Sequence, residues 1–424
     1  ILGMGINRIN KYTIRKATQA LASVILNSGK NQKIAISYDS RKFSFEFAQE
    51  AASVMAANEI KTYIYERLNP VCLLSFAVRE LNAQAGIMIT ASHNPPEYNG
   101  YKVYWDDGAQ VTPPYDQKII DEYNSVDSFE TIKYISFNEG IKTEMIQWIG
   151  QEMEDKYFAM LSKTFTNPKM CKEHGEKIKI IYTPIHGTGL VPCTRVLDEM
   201  GLTNYKVVPE QAEPDHTFPT VSSPNPENPS AMQMGVDLMR SENADIVMGT
   251  DPDTDRLGVA IEHNGELYFP NGNQIGTLML HYTLTNLKEQ ERLPEHAYFM
   301  KTIVTTELQK TIADRFNVKT FNTLTGFKWI CKKMKELEST NPELKFIFGT
   351  EESFGYMTHN FVRDKDGVCA VAIMSEIALW YKLQGMTLID ALNKIYEEYG
   401  YSKESLLCLD YKGKTGAEKI SKIM

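Results

Sequence analysis

The 424-residue chain has no long hydrophobic run, no basic block and no paired cysteines, and each absence removes a class of function. No stretch approaches the roughly 18 consecutive apolar residues that a helical membrane span needs. No Lys/Arg cluster stands out and the net charge is −9, which argues against nucleic acid as a partner. The six cysteines, Cys72, Cys171, Cys193, Cys331, Cys369 and Cys408, stand far apart without C-x-x-C spacing. They read as isolated reduced thiols of a cytoplasmic protein rather than a disulfide framework. The chain opens at Ile1 without an initiator Met and without the apolar core of a signal peptide, so a trimmed fragment is expected. Three common motifs are missing as well. TPIHGTG (Thr183–Gly189) lacks the P-loop lysine, which leaves His186 as a positioned or capping residue, and the glycines at Gly3–Gly5 follow no strand. The G-x-S-x-G elbow of serine hydrolases is absent.

What is present is ordinary globular material, 42% hydrophobic and 23% charged, in a length that suggests about three domains. Ile14, Ala17, Leu21, Val24 and Ile25 keep helical spacing over Tyr12–Leu26, and strand IAISY (Ile34–Tyr38) follows. A helix with Phe47, Ala48, Ala51 and Met55 inward, a strand at Lys61–Glu66 and a helix through Leu74–Leu81 come next. Such alternation predicts βαβ units. The grammar then repeats from Ile178 and from His296. Three apolar strands each run into a threonine and a polar loop: GIMIT-ASHNP (Gly86–Pro95), DIVMGT-DPDTDR (Asp245–Arg256) and KFIFGT-EESFG (Lys345–Gly355). We therefore expect an internally repeated α/β protein whose copies have specialised around one cleft. Its units are 1–150, 151–263 and 264–400. Thr387 caps a last helix that stops at Gly400, and LLCLDYKGK reads as a strand and turn within a remainder, 401–424, too short for a core of its own.

The loops carry the chemistry. Ser92 follows a buried strand directly and so sits where open α/β sheets bind ligands, with His93 beside it and Lys102 within reach. A lone serine is usually a turn residue; Ser-His-Asn-Pro in this setting shifts the balance. Asp251, Asp253 and Asp255, at i, i+2 and i+4, can point to one side and clamp a hard divalent cation, for which oxygen-only ligands suit Mg²⁺. The same spacing opens an EF-hand loop, but its sixth position is Arg256 instead of glycine, and Leu257–Ile261 alternates like a strand. Glu351 and Ser353 are spaced to reach adjacent hydroxyls of a sugar, and Lys301, Lys328, Arg363 and Lys365 are candidates to receive a phosphate.

Taken together, TASHNP (Thr90–Pro95), DPDTDR (Asp251–Arg256) and EESFG (Glu351–Gly355) resemble the phosphoserine, Mg²⁺ and sugar-recognition loops of the α-D-phosphohexomutase superfamily. NGYK (Asn99–Lys102), YDSR (Tyr38–Arg41), TGFK (Thr325–Lys328) and RDKDG (Arg363–Gly367) fit too. The likeness is to the longer phosphoglucomutases and phosphopentomutase-like members. It implies three similar α/β/α units with mixed sheets around a central cleft, followed by a fourth domain that this chain lacks; GKTGAEK (Gly413–Lys419) does not replace that domain's phosphate loop. The family's early arginine would fall before Ile1. The resemblance implies Ser92, His93 and Lys102 as catalytic residues, and one Mg²⁺ on Ser92, Asp251, Asp253 and Asp255. It implies a substrate-binding set of Arg256, Lys301, Thr325, Gly326, Lys328, Glu351, Ser353, Arg363 and Lys365. The expected reaction interconverts glucose 1-phosphate and glucose 6-phosphate through phosphoserine and glucose 1,6-bisphosphate. Phosphomannomutase or phosphopentomutase activity, a metal-dependent phosphohydrolase and an inactive sugar-phosphate-binding fragment are the alternatives. The partner is a small sugar phosphate, and the oligomeric state is left open.

Overall fold

A computed structural model describes residues 1–407, 409, 411 and 413–423. The first unit is built on six strands: β1 (Leu2–Met4), β2 (Lys33–Tyr38), β3 (Lys61–Tyr65), β4 (Ala85–Ile89), β5 (Tyr98–Trp105) and β6 (Ile146–Ile149). They lie in the order β1-β5-β4-β2-β3-β6, parallel from β4 to β6, with β5 antiparallel to both neighbours. Every residue of β4 is buried, as a strand covered by helices on both faces must be. Helix Lys11–Asn27 begins at Asn10, whose side chain accepts from the amides of Tyr12 and Thr13, and it buries the apolar stripe that the spacing predicts.

The second unit carries β7 (Ile180–Thr183), β8 (Tyr205–Val207), β9 (Ile246–Thr250), β10 (Leu257–His263) and β11 (Glu266–Tyr268), ordered β11-β10-β9-β7-β8. The third carries β12 (Ala297–Thr302), β13 (Lys319–Thr323), β14 (Lys345–Glu351) and β15 (Gly355–Met357), ordered β13-β12-β14-β15. The repeat is plain in the pairing. In each unit a buried strand (β4, β9, β14) leads into a chemically loaded loop and returns as an antiparallel neighbour (β5, β10, β15). β10 after the aspartates confirms a strand there and excludes the helix of an EF-hand. Each loop also contains one non-glycine residue with positive φ: Ser92 (51°), Thr254 (53°) and Phe354 (64°). The tight reversal from strand to return demands a left-handed residue in all three copies.

The units share their interior. Helix Gly367–Lys382, from the third unit, is buried nearly all round and packs on helix Leu190–Met200 and on β9 and β10 of the second. One continuous apolar core therefore runs from Leu74 through Val196 and Met248 to Ile377. Helix Leu388–Tyr399 has the expected Thr387–Asp390 capping box and ends before Gly400. The strand and turn expected over Leu406–Lys414 fall partly on Cys408, Asp410 and Lys412, outside the described residues. Leu406 and Leu407 are exposed and form no strand, and a helix, Gly413–Ile423, begins where the turn was expected. The reason is physical: no described strand flanks those leucines, and a strand without a partner leaves its backbone bonds unmade. The other five cysteines are buried and free. Among the described residues no helix is long and apolar enough to cross a membrane.

Candidate active site

The three loops meet. Thr90 follows β4 directly, and its hydroxyl accepts from the Ser92 amide at 2.8 Å, folding the chain into the left-handed turn that presents Ser92. The Ser92 hydroxyl lies 3.0 Å from Asp251 Oδ2, to which it donates, and 3.2 Å from His93 Nδ1. Strand register places Lys102 opposite Met88, beside that turn, and its ammonium donates to Asp253 Oδ2 at 2.8 Å. The serine of the first unit and the aspartates of the second thus form one cluster.

Asp251, Asp253 and Asp255 are fully buried or nearly so, and one oxygen from each lies within 4.8 Å of the others. Asp251 Oδ1 accepts from the amides of Asp255 and Arg256, both at 3.0 Å. Lys365 pairs with Asp255 Oδ2 at 3.0 Å. Asp253 Oδ1 and Asp255 Oδ1 are buried with no hydrogen-bond partner. Buried carboxylate oxygens left bare are costly, and a hard cation among three converging carboxylates is what such a donor set fits. Burial, then repulsion from Asp255 and Asp253, pushes the Asp251 carboxyl well above its usual range. Burial pushes Asp253 up as well, but the Lys102 ammonium, a hydrogen bond with Asp251 and the Lys365 charge together outweigh it and hold that carboxyl low. Burial and Asp253 push Asp255 up. Burial and the nearby Arg256 guanidinium lower His93 to about 3, so its ring is neutral. Lys102 is raised despite burial by Asp253 and Asp255, and so stays an ammonium.

The aspartate loop is clasped from three sides. Its carbonyls at Pro252, Asp253 and Thr254 accept from Thr188 (2.9 Å), Val71 (3.0 Å) and Gly367 (3.0 Å). Val71 and Gly367 are the first residues of helices Val71–Glu80 and Gly367–Lys382, whose leading amides have no partner within the helix. Gly187 must be a glycine because a Cβ there would stand 2.4 Å from Pro252 Cα.

In the third unit Glu351 is buried and accepts from the Gly326 amide at 2.8 Å, joining two of the expected sugar-binding loops. Glu352 turns away and takes the hydroxyls of Thr302 and Thr305. Ser353 is half-buried and Thr325 exposed. Lys328 lines a cavity of about 580 Å³ together with Lys102, and no described carboxylate pairs with it. Two expected phosphate receivers have carboxylate partners of their own, although Nε and Nη1 of Arg363 are buried with no hydrogen-bond partner. The buried Lys301 ammonium is taken up by the Thr302 and Thr305 carbonyls and by Glu307 at 2.7 Å. Arg363 pairs with Glu338 at 2.5 Å, while its amide donates to Ser75. None of these partners belongs to the serine–aspartate cluster.

Three residues escaped sequence reasoning. Arg41 lies under the serine loop; its motif was visible but its target was not. Glu227 binds Arg256 from a polar loop without any distinguishing pattern. Asp364 accepts from Tyr104 at 2.7 Å and from Gln110 at 3.0 Å, tying the first unit to the third beside Lys365.

Residues 3–130, 155–265 and 271–399 match, in order, the α/β/α domains I, II and III described as phosphoglucomutase/phosphomannomutase. The chain is 36% identical to a phosphoglucomutase of Staphylococcus epidermidis, across all of this chain and 75% of that one. It is likewise 36% identical to a phosphoglucomutase of Staphylococcus aureus, covering 74% of it. Among solved structures, the exocytosis-sensitive phosphoprotein pp63/parafusin, a phosphoglucomutase from Paramecium, superposes with a TM-score of 0.72 at 17% identity. That superposition covers 92% of this chain and 71% of that one. A phosphoglucomutase/phosphomannomutase family protein from Burkholderia thailandensis gives 0.70 at 16% identity, over 93% and 78%. The chain belongs to the phosphoglucomutase/phosphomannomutase family of the α-D-phosphohexomutase superfamily and is an intramolecular phosphotransferase.

Proposed function

We propose that the protein interconverts glucose 1-phosphate and glucose 6-phosphate, with Ser92 as phosphate carrier and glucose 1,6-bisphosphate as intermediate. The observation that carries this reading is the 3.0 Å contact between Ser92 Oγ and Asp251, where a transferable group on the serine would adjoin the aspartate trio. In the forward direction the Ser92 O–P bond breaks, a P–O bond forms to the free sugar hydroxyl, and the proton that hydroxyl loses ends on the freed Ser92 Oγ. The bisphosphate then returns its other phosphoryl group to Ser92. A Mg²⁺ held by Asp251, Asp253, Asp255 and a Ser92-borne oxygen would neutralise charge on the group in transit. Lys102, a fixed cation, and neutral His93 stand where they can steady that charge and relay the hydroxyl proton. Glu351 and Ser353 read sugar hydroxyls present in both orientations. Lys328, among the described residues an unpaired cation at the cavity rim, receives the phosphate that is not reacting. Arg256, Thr325, Gly326 and Lys365 complete this surface. Lys301, held by Glu307, and Arg363, whose Nε and Nη1 have no hydrogen-bond partner among the described residues, belong to the same set.

The names of the Staphylococcus relatives favour glucose phosphates. Mannose or pentose phosphates are the second reading, because Glu-x-Ser contacts do not name one sugar. Buried free thiols support a cytoplasmic setting. The test is turnover of glucose, mannose and ribose 1-phosphates with Mg²⁺ and the matching bisphosphate, with intact mass to locate phosphate. Isomeric product and one phosphate on the Ser92 peptide are expected. Release of inorganic phosphate, or undiminished mutase turnover in Ser92→Ala, defeats the reading.

A further inference from the structure

We propose that Arg41 is a positioning residue for phosphoryl transfer: its guanidinium fixes the carbonyl rim of the serine loop and so aims the Ser92 hydroxyl at the aspartates. The proposal rests on Ser92 being the phosphate carrier. Residues 90–97, between β4 and β5, have no helix or sheet ladder to hold them, and their carbonyls need donors. Arg41 supplies these donors. Nη1 donates to the Pro95 and Tyr98 carbonyls, each at 2.9 Å, and Nη2 donates to Ser92 O at 2.6 Å and to Asn94 O. Three acceptors from the loop and one from the first residue of β5 are satisfied by one planar group, a pattern that a lysine ammonium with three donors cannot reproduce.

The guanidinium is itself fixed. Its side chain has no solvent exposure, and Nε faces Asp39 Oδ2 at 3.4 Å. The Phe218 ring of the second unit lies 5.1 Å from its centre. Ser223, also from the second unit, donates to the His93 carbonyl at 2.7 Å. The loop is thus held from beneath by the first unit and from the flank by the second. Ser92 sits at φ 51°, a conformation that a non-glycine residue keeps only where its surroundings hold it. The bond from Arg41 to the Ser92 carbonyl and the bond from the Ser92 amide to Thr90 hold it from its two ends. Among the described residues Arg41 makes no hydrogen bond or ion pair with Glu351, Ser353 or Lys328, so a loosened loop should slow transfer without weakening sugar binding.

The experiment uses Arg41→Lys and Asp39→Asn in the intact protein. Phosphate uptake on Ser92 from glucose 1,6-bisphosphate is followed by intact mass, alongside kcat, KM for glucose 1-phosphate and the unfolding temperature. Arg41→Lys keeps the charge and should lower both the phosphorylation rate and kcat by about 100-fold, the scale of a misplacement near 1 Å, with KM within about threefold. Asp39→Asn keeps the carbonyl bonds but frees Nε, and should lower the same two quantities by a smaller factor. If Arg41→Lys does not fold, Asp39→Asn decides. A folded variant that takes up phosphate at the wild-type rate, or one altered only in KM or unfolding temperature, overturns the proposal. Wild-type protein that takes up no phosphate removes the Ser92 reading and this inference with it; uptake by wild type and unchanged variants removes the inference alone.

Discussion

Replacing Lys102 with methionine should make folding depend on Mg²⁺ more strongly than it does in the wild type. The Lys102 ammonium lies 2.8 Å from Asp253, whose side chain is fully buried, while the lysine side chain is 24% exposed. Methionine keeps most of the stem and deletes the charge. Breaking a buried pair from one side costs about 3–5 kcal/mol, because the remaining charge stays in a medium that solvates it poorly. The partial exposure of Lys102 puts the expected loss near the lower figure, about 3 kcal/mol in metal-free protein. At about 2–4 °C per kcal/mol for chains of moderate size, the unfolding temperature in chelator should drop by roughly 6–12 °C. The removed cation also repelled any metal at the trio, so Mg²⁺ should bind the variant more tightly and restore more of the loss by mass action. Differential scanning fluorimetry of both proteins, with chelator and with excess Mg²⁺, measures this directly. A Mg²⁺-induced gain in Lys102→Met equal to or below that of the wild type would refute the electrostatic account of the trio. The readout is stability, so it does not depend on the catalytic role of Lys102.

Three further outcomes are expected. Gly187→Ala would drive a Cβ to 2.4 Å from Pro252 Cα; we expect a folded but less stable protein with Mg²⁺ affinity reduced at least tenfold, checked by calorimetric titration. Unchanged affinity would mean that the clasp on the aspartate loop does not matter. Glu351→Gln keeps an oxygen for the Gly326 amide but removes the charge, so KM for the sugar phosphate should rise about tenfold, in line with about 1.5 kcal/mol for a charged hydrogen bond, with kcat little altered. Asp366→Ala strips the cap from helix Gly367–Lys382 and the acceptor of Tyr157, a bond of 2.7 Å; a loss of about 3 kcal/mol in denaturant unfolding is expected, and a loss below 1 kcal/mol would show the network to be dispensable.

Much of the frame was legible because it is written in short-range pattern. Thr90, Thr250 and Thr350 each mark the end of a buried strand, and alternation after Arg256 forecast β10. The threonines themselves diverge. Thr90 holds the Ser92 amide, whereas Thr250 shares a 2.8 Å bond with Tyr182 and supports its strand from within. What sequence could not show was pairing between distant segments. Val71 and Asp253 meet as a helix amide and a loop carbonyl, and neither residue type hints at the other. Lys301 and Arg363 were attractive as cations, yet charge alone does not say whether a side chain faces a cleft or a neighbouring carboxylate. Glu307 and Glu338 each take one bond from them, while Nε and Nη1 of Arg363 stay buried without a partner.

The same reasoning accounts for an acidic protein that handles anions. The net charge of −9 is spread over the chain, but Lys102 on β5, Arg256 and Lys365 on loops and Lys328 on helix Phe327–Thr340 bring cations together from three units. Lys102, Arg256 and Lys365 are tied to carboxylates, which fixes their positions and cancels most of their charge. Lys328 carries no such tie among the described residues. Local cation density therefore comes from assembly of the units rather than from composition, and it exists only while the three loops are held together. That requirement explains the shared interior. A helix of the third unit that packs on the second, with its leading amide on the aspartate loop, links the stability of the core to the geometry of the site.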